Sequence, residues 1–222
     1  MSPTEGVSLS TSVPFGTILE KAEEILDASC AADWLRKQGY NTYLLDATPA
    51  GAALYRQYHF VELDWARQYV CTQPRKGACF SPRVDLLTVD CLPELVAFDQ
   101  RYFGSNRKRL LCAFLTDYPD RFLVKRSDRG ETCGFLVAQP QRPGPYVACS
   151  VEDAVDLLDT ALALDFEGEI NVIAPALNPY AEELFRQYGF GFLRALPHMG
   201  WGVLHSPSRR RFIYGQASFA LG

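Results

Sequence analysis

Two nearly identical heptapeptides lie far apart in the sequence, LYRQYHF at residues 54–60 and LFRQYGF at residues 184–190. Each one ends a longer segment that begins with an apolar run, TYLLDATPAGAALYRQYHF in the first case and INVIAPALNPYAEELFRQYGF in the second. Each apolar run indicates a buried strand, and each is preceded by an amphipathic segment with a polar start, which indicates a capped helix. The chain therefore repeats a whole block of helices and strands. The heptapeptides differ at one informative position, where Tyr55 of the first is replaced by Phe185 in the second.

The composition excludes several classes of function. The 222 residues carry a formal net charge of −4, with neither half of the chain basic, which argues against nucleic acid or an anionic membrane surface as a partner. The seven cysteines are dispersed and form no C-x-x-C pair, so we expect no metal. No apolar run approaches the roughly 18 residues that span a membrane, and residues 1–16 lack the features of a signal peptide. We therefore expect a soluble, cytoplasmic protein.

Strands and helices alternate along the sequence. A T-x-x-E capping box at Thr17 predicts a helix that ends near Gly39, followed by a strand at 42–47, a helix at 50–58 and a strand at 60–71. The Pro-, Gly- and base-rich stretch 72–83 is the predicted linker. Further strands and helices follow up to residue 204, with QPQRPGP (139–145) predicted as a loop. Strands joined by helices indicate an α/β fold.

The block that ends in LDATPAG…LYRQYHF resembles the C-terminal half of a GNAT N-acetyltransferase domain. The later region, with FLVAQ…GPYVACS…INVIAPALNP…LFRQYGF…MGWG, is similar to the divergent second domain of tandem GNAT proteins. The resemblance implies a partial GNAT-like block at residues 1–71, a linker at 72–83, and a complete, divergent GNAT-like domain of mixed sheet with a C-terminal tail at 84–222. It also raises the expectation that the first domain is truncated at its N-terminus and that this chain is a version of a longer tandem enzyme.

The resemblance implies an N-acetyltransferase that transfers an acyl group from acyl-CoA to a small primary amine. In this family acetyl-CoA lies between two splayed central strands, and a tyrosine of the last helix protonates the departing thiolate. The motif match makes that tyrosine Tyr55, whereas Phe185 has no proton to donate. The resemblance also implies that Thr48 and Ala50, in the turn after the strand, approach the pantetheine arm. Asp46, at the end of that strand, is the nearby carboxylate that we consider as the base.

The family's pyrophosphate loop, R/Q-x-x-G-x-G/A, is absent before both helices that should carry it. The two helix starts hold acceptors of their own, Thr17 with Glu20 in one and Ser150 with Glu152 and Asp153 in the other. An acidic, self-capped helix start repels a pyrophosphate. We therefore expect acetyl-CoA, the implied co-substrate, to bind weakly or not at all, with any residual binding near Thr17, Thr48 and Tyr55.

Other interpretations remain open at this stage. Tyr55 is also compatible with an aromatic core residue at helical spacing. The chain is also compatible with a non-catalytic GNAT-like module that binds a ligand or a partner. Such a module would expose the edge of a truncated sheet, through which two copies could form a homodimer. Arg107, Lys108 and Arg109 could meet an acidic substrate or the 3′-phosphate of CoA, or lie on a solvated helix face. His59 occupies the position of a helix-ending glycine, so we expect a left-handed cap there and not a base.

Overall fold

The computed structural model describes residues 41–74 and 80–219, together with positions 37 and 39. Thr17 and almost all of the helix that we predicted after it lie outside the described residues. The strands are β1 (Tyr43–Asp46), β2 (Val61–Cys71), β3 (Val84–Leu86), β4 (Phe122–Arg126), β5 (Thr132–Gln139), β6 (Arg142–Ala148), β7 (Ile170–Pro175), β8 (Gly191–Trp201) and β9 (Ile213–Gly215). The helices are α1 (Pro49–Gln57), α2 (Leu92–Phe103), α3 (Lys108–Asp117), α4 (Val151–Leu162) and α5 (Ala181–Gln187), with short 3₁₀ turns at Val89–Cys91 and Arg210–Phe212. This mixed α/β architecture agrees with the predicted fold class.

One sheet is antiparallel and has the strand order β3–β4–β5–β6–β9. Alternate residues of its strands supply two separate cores, because successive side chains point to opposite faces. Phe122 and Phe135 pack with helices α2 and α3 on one face. Leu123 and Leu136 pack with helix α4 on the other face, in a core that continues to β7 and α5. This sheet therefore has helices on both faces.

The other sheet has the order β1–β8–β2–β7, and all of its pairs are antiparallel. We name β1, α1 and β2 the first copy, and β7, α5 and β8 the second copy. Strand β8 of the second copy lies between the two strands of the first, and β2 of the first copy lies between the two strands of the second. The N-terminal strands therefore pack against the later region through an exchange of strands.

The register of this sheet obeys a pseudo-two-fold axis. Residues of the two copies correspond at an offset of 130, as in Leu54 and Leu184. Ala66 of β2 pairs with Leu196 of β8, its own counterpart, so the axis passes between these two residues. The axis maps neighbouring strand pairs onto each other. The pair Trp65–Pro197 corresponds to the pair Ala195–Arg67, and the pair Asp64–His198 corresponds to the pair Arg194–Gln68. The sequence repeat is therefore a structural symmetry of the sheet.

The repeated heptapeptides form the same helix end. The amide of Phe60 donates to the carbonyl of Tyr55 at 3.1 Å, and the amide of Phe190 donates to that of Phe185 at 3.0 Å. His59 has φ 64° and its counterpart Gly189 has φ 89°, so both adopt the left-handed conformation. The prediction of a left-handed cap at His59 is confirmed.

The sequence analysis was wrong about two segments of the later region. The predicted loop at 139–145 is a tight hairpin in which Gln139 pairs with Arg142 and β6 begins at once. The two prolines of this strand lie beside a register shift between Leu136 and Ala138, where the ladder tolerates missing amide donors. The predicted tail contains β9, which pairs with β6 through Tyr146 and Val147.

Candidate active site

Tyr55 lies on α1 at the face that packs against the sheet. It contacts a small cluster that includes Ala52 of α1 and Met199 of β8, and its ring lies 5.3 Å from that of Phe60. Gly51 makes room for it, since a Cβ at that position would lie 3.3 Å from the tyrosine ring. The hydroxyl has no hydrogen bond to any described residue. Burial raises the pKa of Tyr55 above its ordinary value, so the phenol keeps its proton at neutral pH.

Thr48 and Ala50 begin helix α1, and both are exposed. Thr48 is the N-cap, and its hydroxyl accepts a hydrogen bond from the amide of Gly51 at 3.1 Å. That hydroxyl therefore stabilises the helix start. The first turn of α1 contains no acidic residue, unlike the first turn of α4.

Asp46 lies on the opposite face of β1 from Tyr55. Leu45 and Ala47 join the cluster around Tyr55, so the side chain of Asp46 between them points to the other face. The Asp46 side chain is only 2% exposed. One carboxylate oxygen lies 2.7 Å from Nδ1 of His198, and the other accepts a hydrogen bond from Nε2 of Gln216 at 2.8 Å. The structure therefore brings Asp46 together with two polar residues and separates it from Tyr55 by the thickness of β1.

Asp46 belongs to a polar row that crosses three adjacent strands. His198 of β8 pairs with Asp46 of β1 on one side and with Asp64 of β2 on the other. One oxygen of Asp64 accepts a hydrogen bond from Nε of Arg210 at 2.6 Å, and its second oxygen accepts from the amide of Leu177 at 3.1 Å. We name these five side chains the polar row: Asp46, His198, Asp64, Arg210 and Gln216.

Three buried atoms of the polar row have no hydrogen-bond partner within the described part of the chain. They are Nε2 of His198, Nη2 of Arg210 and Oε1 of Gln216. Buried polar groups in folded proteins are almost always paired, so three unpaired atoms in one cluster require an explanation. The sequence analysis did not identify this cluster, although one signal was available, since His198 interrupts an apolar strand in a chain with only three histidines.

The basic residues at the start of α3 do not form one group. Arg107 is buried and donates two hydrogen bonds to Asp99, at 3.0 and 2.6 Å. Its guanidinium also stacks on the ring of Phe103, 3.3 Å from the centroid. Arg107 is therefore a core residue, and neither the solvated helix face nor the phosphate contact that we considered describes it. Lys108 and Arg109 are exposed.

The start of α4 has the self-capped form that the sequence predicted. The hydroxyl of Ser150 accepts from the amide of Asp153 at 3.1 Å and donates to its carboxylate at 2.9 Å. The first turn also contains Glu152, so two carboxylates lie where a pyrophosphate would need a positive helix end. This helix start does not fit the phosphates of CoA.

Strand β9 occupies the space between β6 and β7. It pairs with β6, and the amide of the following residue, Gln216, donates to the carbonyl of Ile173 in β7 at 2.8 Å. The fit is close, because a Cβ on Gly144 of β6 would lie 2.3 Å from the carbonyl oxygen of Gln216. The symmetry-related position is the outer edge of β1, and among the described residues β1 pairs only with β8. The two copies therefore differ at their outer strands.

In the described ranges 41–74 and 80–219, no group of three or more His, Cys, Asp or Glu side chains is arranged to hold a metal ion. None of the helices described there is long and apolar enough to cross a membrane.

A family model described as "Acetyltransferase (GNAT) domain" matches residues 95–215, which is more than half of the chain. This protein therefore belongs to the GNAT acetyltransferase family, whose members use acyl-CoA as co-substrate. No curated protein sequence matches the chain.

Several solved structures share the fold. A Pyrococcus horikoshii protein named as a candidate acetyltransferase is 22% identical with a TM-score of 0.74, covering 93% of this chain and 69% of its own. A Drosophila protein is 12% identical with a TM-score of 0.53, covering 72% of this chain and 60% of its own. The glucosamine N-acetyltransferase region of a fungal multi-domain β-N-acetylglucosaminidase is 11% identical with a TM-score of 0.54, covering 81% of this chain and 28% of its own. These similarities concern the fold alone.

Proposed function

We propose that this protein is an N-acyltransferase that transfers an acyl group from acyl-CoA to a small primary amine, and that its first copy carries the chemistry. The observation that carries the proposal is the hydroxyl of Tyr55. It is half-buried, has no hydrogen bond to a described residue, and its pKa is raised by burial. A thiolate leaving group needs a proton donor, and a phenol that stays protonated at neutral pH can serve as one.

Two differences favour the first copy over the second. Phe185, the counterpart of Tyr55, is fully buried between Tyr69 and Phe190 and has no proton to give. The outer side of β7 is filled by β9, whereas the outer edge of β1 has no strand paired to it among the described residues. The proposal therefore places the acyl thioester at the outer edge of β1. Tyr55 would then lie on one face of β1, and Asp46 on the face from which the amine approaches.

The described residues fit the thioester end of acyl-CoA better than its phosphates. Thr48 and Ala50 are exposed beside the first copy and are the proposed contacts of the pantetheine arm. The start of α4 repels anions, since Glu152 and Asp153 lie in its first turn. Loss of several helix-end and hydrogen-bond contributions would weaken a micromolar site by roughly 3–5 kcal/mol, into the millimolar range.

The Tyr55→Phe variant tests this proposal. Loss of a positioned acid typically lowers the rate by about 10²–10⁴, so kcat for thiol release from acetyl-CoA should fall by that factor. The free energy of unfolding should change little, because the hydroxyl has no hydrogen bond to a described residue. Tyr58→Phe, which removes a hydroxyl from the neighbouring turn, is the matched control and should keep its activity. Unchanged turnover in Tyr55→Phe would remove Tyr55 from the mechanism.

A second candidate function is a non-catalytic module that pairs with a second copy of the chain. The observation that favours it is the same edge of β1, a four-residue strand with one partner strand in the described part of the chain. An open sheet edge can pair with another chain. Light scattering separates the two cases: a dimer that does not turn over acetyl-CoA would favour the module, and an active monomer the enzyme. For both candidate functions we propose a cytoplasmic location and a linker at residues 72–83.

A further inference from the structure

We propose that Nε2 of His198, Oε1 of Gln216 and Nη2 of Arg210 form a binding site for a small primary amine that carries a carboxylate, such as a free amino acid. The proposal that this ligand is the acceptor rests on the proposed acyltransferase function. The binding site itself rests on the polar row alone.

Two of the three unpaired atoms are hydrogen-bond acceptors. Nδ1 of His198 lies 2.7 Å from the carboxylate of Asp46, so the neutral imidazole has its proton on Nδ1 and an acceptor lone pair on Nε2. The amide nitrogen of Gln216 donates to the other oxygen of Asp46, so the amide oxygen is the free end of that side chain. Both side chains are therefore fixed by hydrogen bonds to Asp46, and each offers one acceptor. A primary amine has several N–H donors and suits two such acceptors.

The third unpaired atom is a donor. Arg210 uses Nε to bind Asp64 at 2.6 Å and keeps Nη2 without a partner among the described residues. Asp64 is the residue paired with His198 across β2 and β8, so Arg210 is anchored on the cross-strand neighbour of His198. A guanidinium N–H binds a carboxylate oxygen more strongly than it binds a neutral acceptor. The set of two acceptors and one donor therefore matches an amine with a neighbouring carboxylate.

The charges of the polar row also favour an amine. The row holds two carboxylates, those of Asp46 and Asp64, and one guanidinium, that of Arg210, so these three groups carry a formal excess of one negative charge. The elements packed against it add neutral groups, the amide of Leu177 on Asp64 and the side chain of Asn178 on the carbonyl of Ile213. An isolated anion would be repelled by this excess, whereas a zwitterion places its ammonium group where the excess lies.

The symmetry-related position differs in exposure. The counterparts of His198 and Asp64 are Gln68 and Arg194. There, Nε of Arg194 donates to Oε1 of Gln68 at 2.7 Å, and Arg194 is exposed, so solvent can reach its guanidinium. The buried, unpaired atoms therefore lie on one side of the axis only.

All three atoms are closed to solvent in this structure. A ligand can enter only when the segment that carries Arg210 and Gln216 opens locally, which predicts slow association. Nitrogen NMR of the imidazole side chains detects binding without acyl-CoA, and the chain has only three histidines to assign. The exposed His205 provides the assignment control through His205→Gln.

Titration with glycine should shift the Nε2 resonance of His198 saturably and in slow exchange. Methylamine, which lacks the carboxylate, should bind at least tenfold more weakly, and propionate, which lacks the amine, should give no shift. Gln216→Met removes one acceptor and should weaken glycine about tenfold. His198→Gln introduces the residue type that stands at the counterpart position 68. It should also weaken glycine binding about tenfold, as measured by calorimetry, and the fold should be retained.

No shift of His198 with glycine would overturn the binding site, and would indicate a buried water that satisfies the three atoms. Equal responses to glycine and methylamine would overturn the role of Arg210. Glycine binding by a protein that does not acylate glycine would refute the acceptor role and leave the binding site standing, so the two proposals fail separately.

Discussion

The first and second copies have the same strand–helix–strand order and the same helix end, yet they differ at each position that bears on chemistry. The second copy has Phe185, fully buried among aromatic rings, and an outer strand covered by β9. The first copy has Tyr55, half-buried with its pKa raised, and an outer strand paired on one side only among the described residues. At these positions the second copy is closed by hydrophobic side chains and a covering strand, whereas the first copy has a half-buried tyrosine and a less covered outer strand.

The comparison extends to the opposite face of the sheet. Gln68 and Arg194 are joined by a hydrogen bond and Arg194 is exposed, while their counterparts, His198 and Asp64, belong to a buried row with three unpaired atoms. A duplicated block that retains its fold can lose polar and reactive groups on one side, where hydrophobic packing and self-pairing replace them. Comparison of symmetry-related residues therefore identifies the positions at which one copy carries a polar or reactive group that the shared fold does not require.

The largest expected effect tests whether the two copies are one folding unit. Because β2 and β8 each lie between strands of the other copy, neither part can complete its sheet alone. A protease site introduced in the predicted linker, 72–83, should give two fragments that stay associated after cleavage. Fragments expressed separately should be unfolded by circular dichroism and should regain structure on mixing. Independent folding of either fragment would contradict the exchanged arrangement.

Arg210→Met and Arg194→Met compare the buried ion pair of Arg210 and Asp64 with the pair of Arg194 and Gln68 on the other side of the axis. Arg210 and Asp64 have side chains that are 4% and 3% exposed, and removal of the arginine leaves a buried charge without its partner. Breaking such a pair typically costs about 3–5 kcal/mol, so urea unfolding should show a loss of that size. Arg194→Met, at the exposed counterpart of Asp64, should cost less than about 1 kcal/mol. Equal losses would show that the two sides of the axis are energetically alike.

Exchange of Tyr55 and Phe185 sharpens the contrast between the two helices. Phe185→Tyr places a hydroxyl in a fully buried site, which should destabilise the protein by about 1–3 kcal/mol because the hydroxyl lacks a partner. Tyr55→Phe should stay within about 0.5 kcal/mol of the parent protein. Thermal unfolding of both variants measures the difference. A stable Phe185→Tyr would mean that the second copy has room for the same chemistry.

His59→Gly gives the smallest expected effect. His59 has φ 64°, a conformation that costs a residue with a side chain on the order of 1 kcal/mol and costs glycine very little. The substitution should stabilise the protein by about that amount, and Gly189→Ala at the symmetry-related position should destabilise it similarly. A loss of stability in His59→Gly would mean that the imidazole makes a contact worth more than the strain.

The sequence predicted the elements whose signals are local. Helix α2 has such local signals, because Leu92–Phe103 has helical spacing and Gly104 ends it in a left-handed conformation. Arg142–Ala148 was predicted mostly as loop, since its prolines and glycine outweigh a strand pattern that depends on β5 and β9. The polar row could not be predicted, because its five members come from β1, β2, β8 and the segment after Arg209, and only the exchanged register places them together.

Hydrogen exchange with acetyl-CoA tests most directly the claim that the first copy is the reactive one. At several millimolar acetyl-CoA, which a millimolar site requires, amides of residues 43–60 should gain protection, and those around Ser150 should not change. The protection in 43–60 should persist in Tyr55→Phe, since that variant loses the acid and not the binding edge. Protection centred on Ser150 and β6, with none in 43–60, would place the co-substrate on the second copy and contradict the account.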